Sequence, residues 1–144
     1  MGYDPTFIAG HTVPMPEMVN EVRDSTYNAG SIIHHTRFSL IFSQARGLAL
    51  VTAHNIDGAT MIAEGIIKRN DRWGFDPHLP NDIQIDNERG YKHNPWDRGH
   101  LVRRRALHWG DEAEARQADR QSFYWSNIAP QHFRLHKTPW GKIE

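Results

Sequence analysis

Two short apolar runs on either side of a turn constrain the fold of this chain more than any other feature. Residues 35–42, HTRFSLIF, and residues 48–56, LALVTAHNI, are rich in residues that favour β-strands, and the segment SQARG with Gly47 separates them. Apolar runs of this length, bounded by turn residues, are typical of paired strands. We therefore predict an antiparallel β-hairpin whose strands are largely buried.

The segments around this hairpin predict an α+β fold with an antiparallel rather than a parallel sheet. Residues 111–121, DEAEARQADRQ, begin with acidic residues and contain the i,i+4 pair of Glu112 and Arg116, which indicates an exposed helix. Composition suggests three further segments: a strand over residues 60–69, a loop over residues 70–82 and a strand over residues 122–128.

Composition limits the class of protein further. A length of 144 residues predicts a single domain, residues 1–144, with room for a hydrophobic core. The absence of cysteine excludes disulfides and thiolate metal sites. The sequence has no signal peptide and no apolar stretch of about 18 residues, so no membrane partner is expected. The sequence leaves two possibilities for the cellular compartment: the chain is cytoplasmic, or a larger parent protein carries it elsewhere.

The C-terminal segment, residues 137–144, KTPWGKIE, begins like a helix, with Thr138 as N-cap and Pro139 in the first turn. The chain ends after about one and a half turns, and an isolated helix of that length is not stable in water. We therefore expect the chain to be the N-terminal portion of a domain whose C-terminal part is missing.

Charge is distributed unevenly along the chain. From Arg89 to Glu144 there are 11 basic and 6 acidic residues, a balance of +5. Because the whole chain carries 17 of each sign, residues 1–88 carry −5. This polarity suggests a positive face for phosphate, although solvated basic surfaces are also common.

Residues 96–101, WDRGHL, carry the most suggestive chemistry. If they form a strand, Arg98 and His100 lie on one face, while Asp97 and Leu101 lie on the other. A guanidinium beside an imidazole can hold a phosphate and accept a proton, and Gly99 leaves space for close approach of a substrate or of another backbone. Taken alone, however, a histidine beside arginines is more often a surface residue.

Three motifs in order carry a family resemblance. DRGH at residues 97–100 is followed, after a spacer of helical length, by SNIAPQ at residues 126–131 and by WGKIE at residues 140–144. This pattern resembles the DNA/RNA non-specific endonuclease family of ββα-metal nucleases. Weaker resemblance in LVTAHNIDG and RWGFDPHLP extends it over most of residues 35–144.

The resemblance implies an α+β fold with a ββα-metal (His-Me finger) motif. It also implies metal-dependent hydrolysis of DNA and RNA without sequence specificity, with water attacking phosphorus and leaving 5′-phosphate and 3′-hydroxyl ends. The DNA and RNA backbone would be the partner.

The same resemblance assigns roles to individual residues. The implied roles are a general base for His100, a phosphate contact for Arg98, a structural or supporting role for Asp97, stabilisation of the site for Asn127, a position near the water shell of the metal for Glu144, and stabilisation of the pentacovalent phosphate for Arg72 or else Arg69. Apart from the resemblance, Arg103, Arg104 and Arg105 are expected to form a solvated stripe that helps non-specific attraction of the nucleic-acid backbone.

The resemblance also implies one divalent metal ion, Mg²⁺, held directly by an asparagine. In this chain that position falls on His136. Imidazole nitrogen suits Mn²⁺, Co²⁺, Ni²⁺ or Zn²⁺ better than Mg²⁺, which prefers oxygen. Three alternatives stay open: a softer metal bound by His136, an impaired site, or a shifted register in which Asn127 or His132 serves.

Two other classes of protein compete with the nuclease. One is a nucleic-acid-binding module without catalysis, or a fragment that needs a complementing chain, an inhibitor protein or a second copy as partner. The other is a His-rich structural zinc domain, which the sequence disfavours because only His132 and His136 have a suitable spacing. His34, His35 and His54 are interpreted as core or edge residues of strands.

Overall fold

The computed structural model describes residues 1–135, and the first sheet lies near the N-terminus. It has three antiparallel strands in the order β1 (Ile32–His35), β2 (Phe38–Ser43) and β3 (Leu48–His54). The hairpin formed by β2 and β3 confirms the prediction from the apolar runs. Every residue of β2 is buried because it is the central strand, whereas β3 is half-buried throughout.

The second sheet contains two antiparallel strands, β4 (Trp96–His100) and β5 (Ile128–His132). Their register pairs Trp96 with His132 and His100 with Ile128. The strand predicted for WDRGHL is therefore confirmed. The strand predicted over residues 122–128 is wrong for most of its length, because a buried 3-10 turn at Trp125–Asn127 precedes β5.

Three α-helices are present in residues 1–135: α1 (Asn20–Arg23), α2 (Glu112–Ser122) and α3 (Phe133–Leu135). The Oδ1 atom of Asp111 accepts a hydrogen bond of 2.9 Å from the backbone of Glu114, which caps α2. The helix is predicted correctly but is exposed on one face only. Its buried face consists of Ala115, Ala118, Asp119 and Ser122.

The other regular segments are single turns. They are 3-10 turns at Tyr27–Gly30, Gly58–Thr60, Asn81–Ile83 and Arg104–Leu107, and a π turn at Asn87–Tyr91. The strand predicted over residues 60–69 is wrong: this segment forms turns, and its β-pairing is limited to an isolated bridge between Met61 and Trp109. Its side chains are mostly exposed, with Ile67 buried, so burial does not favour a strand here.

The hydrophobic core links the first sheet to α2. One buried cluster consists of Ile33, Phe38, Leu40, Phe42, Leu79, Val102, Leu107 and Ala118. A second cluster lies under the second sheet and consists of Tyr91, Trp125 and Ile128, with Trp73 and Ile85 packed against it. Within residues 1–135, no helix combines the length and the apolar character needed to cross a membrane. The helix predicted from Thr138 onward lies outside the described residues.

Candidate active site

Arg98 and His100 meet at one aromatic wall, as their alternation along β4 predicts. The ring of His100 lies 5.4 Å from the ring of Trp73, and the guanidinium carbon of Arg98 lies 5.1 Å from the centre of a ring of the same Trp73. The Nη1 atom of Arg98 donates a hydrogen bond of 2.8 Å to Oδ1 of Asn87. Arg98 itself is exposed, so an incoming anion can reach it.

The imidazole of His100 is largely buried and electrically neutral near neutral pH. Burial between Trp73 and Phe123 lowers its pKa to about 4, and the positive charges of Arg69 and Arg104 act in the same direction. Its Nε2 atom is buried and has no hydrogen-bond partner in the described structure. A neutral imidazole with a free nitrogen is the form that accepts a proton.

Arg69, rather than Arg72, is the arginine whose charge acts on His100. Arg69 makes the largest single electrostatic contribution to the lowered pKa of His100, and the carboxylate of Asp71 binds its Nε atom. Arg72 instead borders a groove of about 430 Å³ that Arg120 and Gln117 also line. Arg69 and Arg72 therefore lie in different surroundings, one acting on His100 and the other beside the groove.

Gly99 serves the pairing of the two strands. A Cβ atom at this position would lie 2.9 Å from Cβ and Oε1 of Gln131 and 3.1 Å from the carbonyl oxygen of Ala129. The group that comes close to Gly99 is therefore the backbone and side chain of the paired strand β5. A cleft of about 230 Å³ lies beside this contact and is lined by Gly99, His100, Leu101, Ala129, Pro130, Gln131 and Leu135.

Asn127 connects the end of β4 to the end of α2. Its buried Oδ1 atom accepts a hydrogen bond of 2.9 Å from the backbone of Val102. Its Nδ2 atom donates to the carbonyl oxygens of Val102 and Ser122, at 3.0 Å each. This geometry fits the stabilising role that the family resemblance implies.

The expectation of a solvated arginine stripe is wrong for Arg104 and Arg105, because both are half-buried. The Nη1 atom of Arg104 binds Oδ1 of Asp119 at 2.6 Å, and Nε2 of the buried His108 lies 2.7 Å from the same oxygen. Burial acts to raise the pKa of Asp119, but hydrogen bonds from His108 and Arg104 outweigh it and lower the pKa. Arg103 is exposed and stays available to a nucleic acid.

Several expected site residues are placed without a settled role. Asp97 pairs with Gln131 across the two strands. His132 lies at the end of β5, with its ring 5.4 Å from that of Trp96. His136 and Glu144 lie outside the described residues.

The aromatic wall of Trp73 and Phe123 was not predicted from the sequence. These residues are distant from DRGH in sequence, and only folding brings them together.

The described residues fit the family's divalent ion in part. His100 could accept a proton from a water molecule near the ion through its other ring nitrogen, Nδ1, because Nε2 is buried away from water. Among residues 1–135, the side-chain amide of Gln131 lines the cleft beside His100, and His136, to which the resemblance assigns the metal ligand, lies outside these residues. A separate group, His35, Asp76 and His78, has suitable donors and spacing for a metal but does not line this cleft.

The strands β4 and β5 pair with each other, α2 lies between them in sequence, and α3 follows β5, with His100 at the end of β4. This arrangement fits the ββα-metal fold. A chain in the crystal structure of the EndoG/EndoGI complex superposes with a TM-score of 0.56 at 16% identity, over 83% of this chain and 47% of that chain. At this level of sequence identity, the structural similarity shows a shared fold alone.

Sequence relatives define the family. Residues 16–144 match the family described as DNA/RNA non-specific endonuclease, and the chain belongs to that family. The uncharacterized protein y4fB of Sinorhizobium fredii (strain NBRC 101917 / NGR234) is 34% identical over 139 residues, covering 87% of this chain and 20% of that protein. The mitochondrial nuclease EXOG of Danio rerio is 26% identical over 110 residues, covering 76% of this chain and 30% of that protein. The chain thus spans less than a third of either relative.

Proposed function

We propose that this chain is the catalytic portion of a metal-dependent endonuclease that hydrolyses phosphodiester bonds of DNA and RNA without sequence specificity. One observation carries the proposal: the largely buried and neutral imidazole of His100 shares an aromatic wall with the exposed Arg98. Membership of the nuclease family supports it.

In this mechanism His100 removes a proton from the water molecule that attacks phosphorus in line with the leaving 3′-oxygen. Arg98 and Arg69 hold the phosphate and offset the charge that develops on its oxygens. A bound divalent ion would supply Lewis acidity at a phosphate oxygen and at the leaving oxygen. Arg72 and Arg120, which border the larger groove, would attract neighbouring phosphates in a salt-dependent manner.

The low pKa of His100 sets its behaviour as a base. With a pKa of about 4, caused mainly by burial, the imidazole is available over a wide pH range but is only weakly basic. An anionic phosphate beside Arg69 would offset one of the smaller causes of this low pKa.

Replacement of His100 tests the proposal. We expect His100→Ala to lower the rate of cleavage of both DNA and RNA at least a hundredfold, because a general base contributes roughly 10²–10⁴-fold. DNA binding should remain, since the phosphate contacts are intact. Arg98→Ala should weaken both cleavage and binding, while His11→Ala, at an exposed position, serves as the matched control. Cleavage by His100→Ala above about a hundredth of the unmodified rate would contradict the assignment.

A module that binds nucleic acid without cleaving it is the second candidate. It is favoured by the histidine at position 136, where the family resemblance implies an asparagine ligand. Incubation of plasmid and RNA with Mg²⁺, Mn²⁺ or EDTA separates the candidates: binding without metal-dependent cleavage supports the second.

The metal preference gives a further prediction. If His136 binds the catalytic ion, activity should be higher with Mn²⁺, Co²⁺ or Ni²⁺ than with Mg²⁺, because imidazole nitrogen suits these ions better. His136→Asn should then shift the preference toward Mg²⁺. Initial rates with each ion measure the effect. Preference for Mg²⁺ in the unmodified chain, unchanged in the variant, would rule out His136 as a ligand.

A further inference from the structure

Three side chains that take no part in the proposed hydrolysis meet at the end of β1. His35 is the last residue of β1, and Asp76 and His78 lie in the loop before Asn81–Ile83. One potential ligand atom from each lies within 4.8 Å of the others. The Nε2 atom of His35 lies 2.9 Å from Oδ2 of Asp76, and Nδ1 of His78 lies 2.8 Å from Oδ1 of Asp76.

The imidazole of His35 is paired with Asp76 in a buried place. Both side chains are fully buried, and Nε2 of His35 lies at hydrogen-bond distance, 2.9 Å, from Oδ2 of Asp76. The other ring nitrogen, Nδ1, has no hydrogen-bond partner within residues 1–135. A cation bound by Nε2 and the carboxylate would take the place of the direct contact between His35 and Asp76.

The set of donors indicates which cation fits. Two imidazole nitrogens and one carboxylate oxygen form a ligand set typical of Zn²⁺ and similar ions. With bonds of about 2.0–2.2 Å, tetrahedral ligands lie roughly 3.3 Å apart, so the donors must separate by a few tenths of an ångström. His78, whose side chain is 50% exposed, is free to move outward and leaves a fourth position for water.

We propose that His35, Asp76 and His78 bind a Zn²⁺-type divalent ion, with one position open to water, at a site separate from the catalytic ion. The ion would act through the segments that it joins.

The ion would connect β1 of the first sheet to the segment that carries Trp73, which forms one wall of the candidate active site. The Oγ atom of Ser126 donates a hydrogen bond of 2.6 Å to Asp76, which ties the site to the turn before β5. Two residues before Asp76, Gly74 exchanges backbone hydrogen bonds with Phe123 and Trp125, at 3.2 and 2.9 Å. The adjoining Trp73 covers His100. Metal binding would thus stabilise the position of this wall.

Titration of the metal-free chain with Co²⁺ and Zn²⁺ tests the site without reference to cleavage. We expect the visible absorption of low-coordinate Co²⁺ to saturate at one equivalent and to be abolished by Zn²⁺. At a hundredfold excess over its Kd, Zn²⁺ should raise Tm by roughly 5–10 °C. The result does not depend on the proposed nuclease activity, because neither measurement requires a substrate.

Variants locate the ion. His78→Ala should lose both the Co²⁺ absorption and the rise in Tm, and this half-exposed position can be changed without opening the core. His136→Ala, at the candidate ligand of the catalytic ion, and the exposed control His11→Ala should retain both, which distinguishes the site from the catalytic ion. Absence of saturable Co²⁺ absorption in the unmodified chain, or its persistence in His78→Ala, would overturn the proposal.

Discussion

At the scale of single residues, the neighbours of His100 determine what its imidazole can do. The sequence surrounds this histidine with arginines, which suggests an exposed basic segment. In the structure, Trp73 and Phe123 bury the ring, and Arg69 and Arg104 oppose its protonation, so the pKa falls. The tetrapeptide DRGH identified the residue, but its chemistry depends on side chains from three other segments.

Two arginines near Trp73 are expected to differ in their effects on catalysis. Arg69 acts on His100, so Arg69→Ala should lower kcat by about 10²-fold or more, because the charge on the reacting phosphate loses a partner. Arg72 borders the larger groove, so Arg72→Ala should raise KM with little change in kcat. The slope of the logarithm of the binding constant against the logarithm of the salt concentration should also fall by about one, the value for one phosphate contact.

Steady-state kinetics at several salt concentrations measure both effects. Arg46→Ala, at an exposed arginine between β2 and β3, is the matched control for loss of one positive charge. A larger loss of kcat in Arg72→Ala than in Arg69→Ala would reverse the assignment and restore Arg72 as the arginine at the reacting phosphate.

At the scale of elements, Asn127 holds the strand of His100 against α2. Asn127→Ala leaves the backbone N–H of Val102 and the carbonyl oxygens of Val102 and Ser122 without these partners in a buried place. We expect a loss of roughly 3 kcal/mol in the free energy of unfolding, because each abandoned buried group costs about 1–3 kcal/mol and relaxation recovers part of it. Urea denaturation measures the change.

The control for this loss is Asn94→Ala. Asn94 is exposed, and its side chain makes single hydrogen bonds to Gly90 and Trp96. We expect it to cost less than about 1.5 kcal/mol, since water replaces the lost partners. Equal destabilisation by the two variants would show that Asn127 is not a structural connection.

The sequence predicts elements well where local pattern and burial agree. The β2–β3 hairpin has apolar runs around a turn, α2 has its cap at Asp111, and β4 carries a recognisable motif. β1 was not predicted, because Ile32–His35 is short and pairing with β2 determines its conformation. The same limit applies to the group of His35, Asp76 and His78, because His35 is far in sequence from the other two and only folding brings it to them.

At the scale of the whole molecule, folding mixes the two charged halves of the sequence. Arg69 and Asp71 from the acidic half lie close enough to act on His100 in the basic half, and Asp76 from the acidic half binds Ser126. Within the basic half, the half-buried Arg104 is paired with Asp119, whereas Arg98 and Arg103 are exposed. Exposed arginines, rather than the total charge of residues 89–144, are therefore the groups that we expect a nucleic acid to meet.

The buried imidazole of His100 also makes stability depend on pH. Its pKa is lowered from 6.5 to about 4 by folding, so the unfolded chain binds a proton in this interval that the folded chain does not. The free energy of unfolding therefore falls as pH decreases from about 6.5 to about 4. The loss is on the order of 3 kcal/mol, because one unit of pKa corresponds to about 1.36 kcal/mol.

Replacement by leucine isolates this contribution. Urea denaturation of the unmodified chain and of His100→Leu between pH 7 and 4 should show a smaller loss of stability in the variant. His54, whose pKa burial also lowers, acts in the same interval and is present in both chains. Asp76 and Asp119 have lowered pKa values, so their contributions are lost mainly below about pH 4, outside the interval. If the free energies of unfolding of the two chains instead fall in parallel from pH 6.5 to 4, His100 is protonated as readily in the folded chain as in the unfolded chain. That result would contradict the proposal that His100 acts as a neutral base.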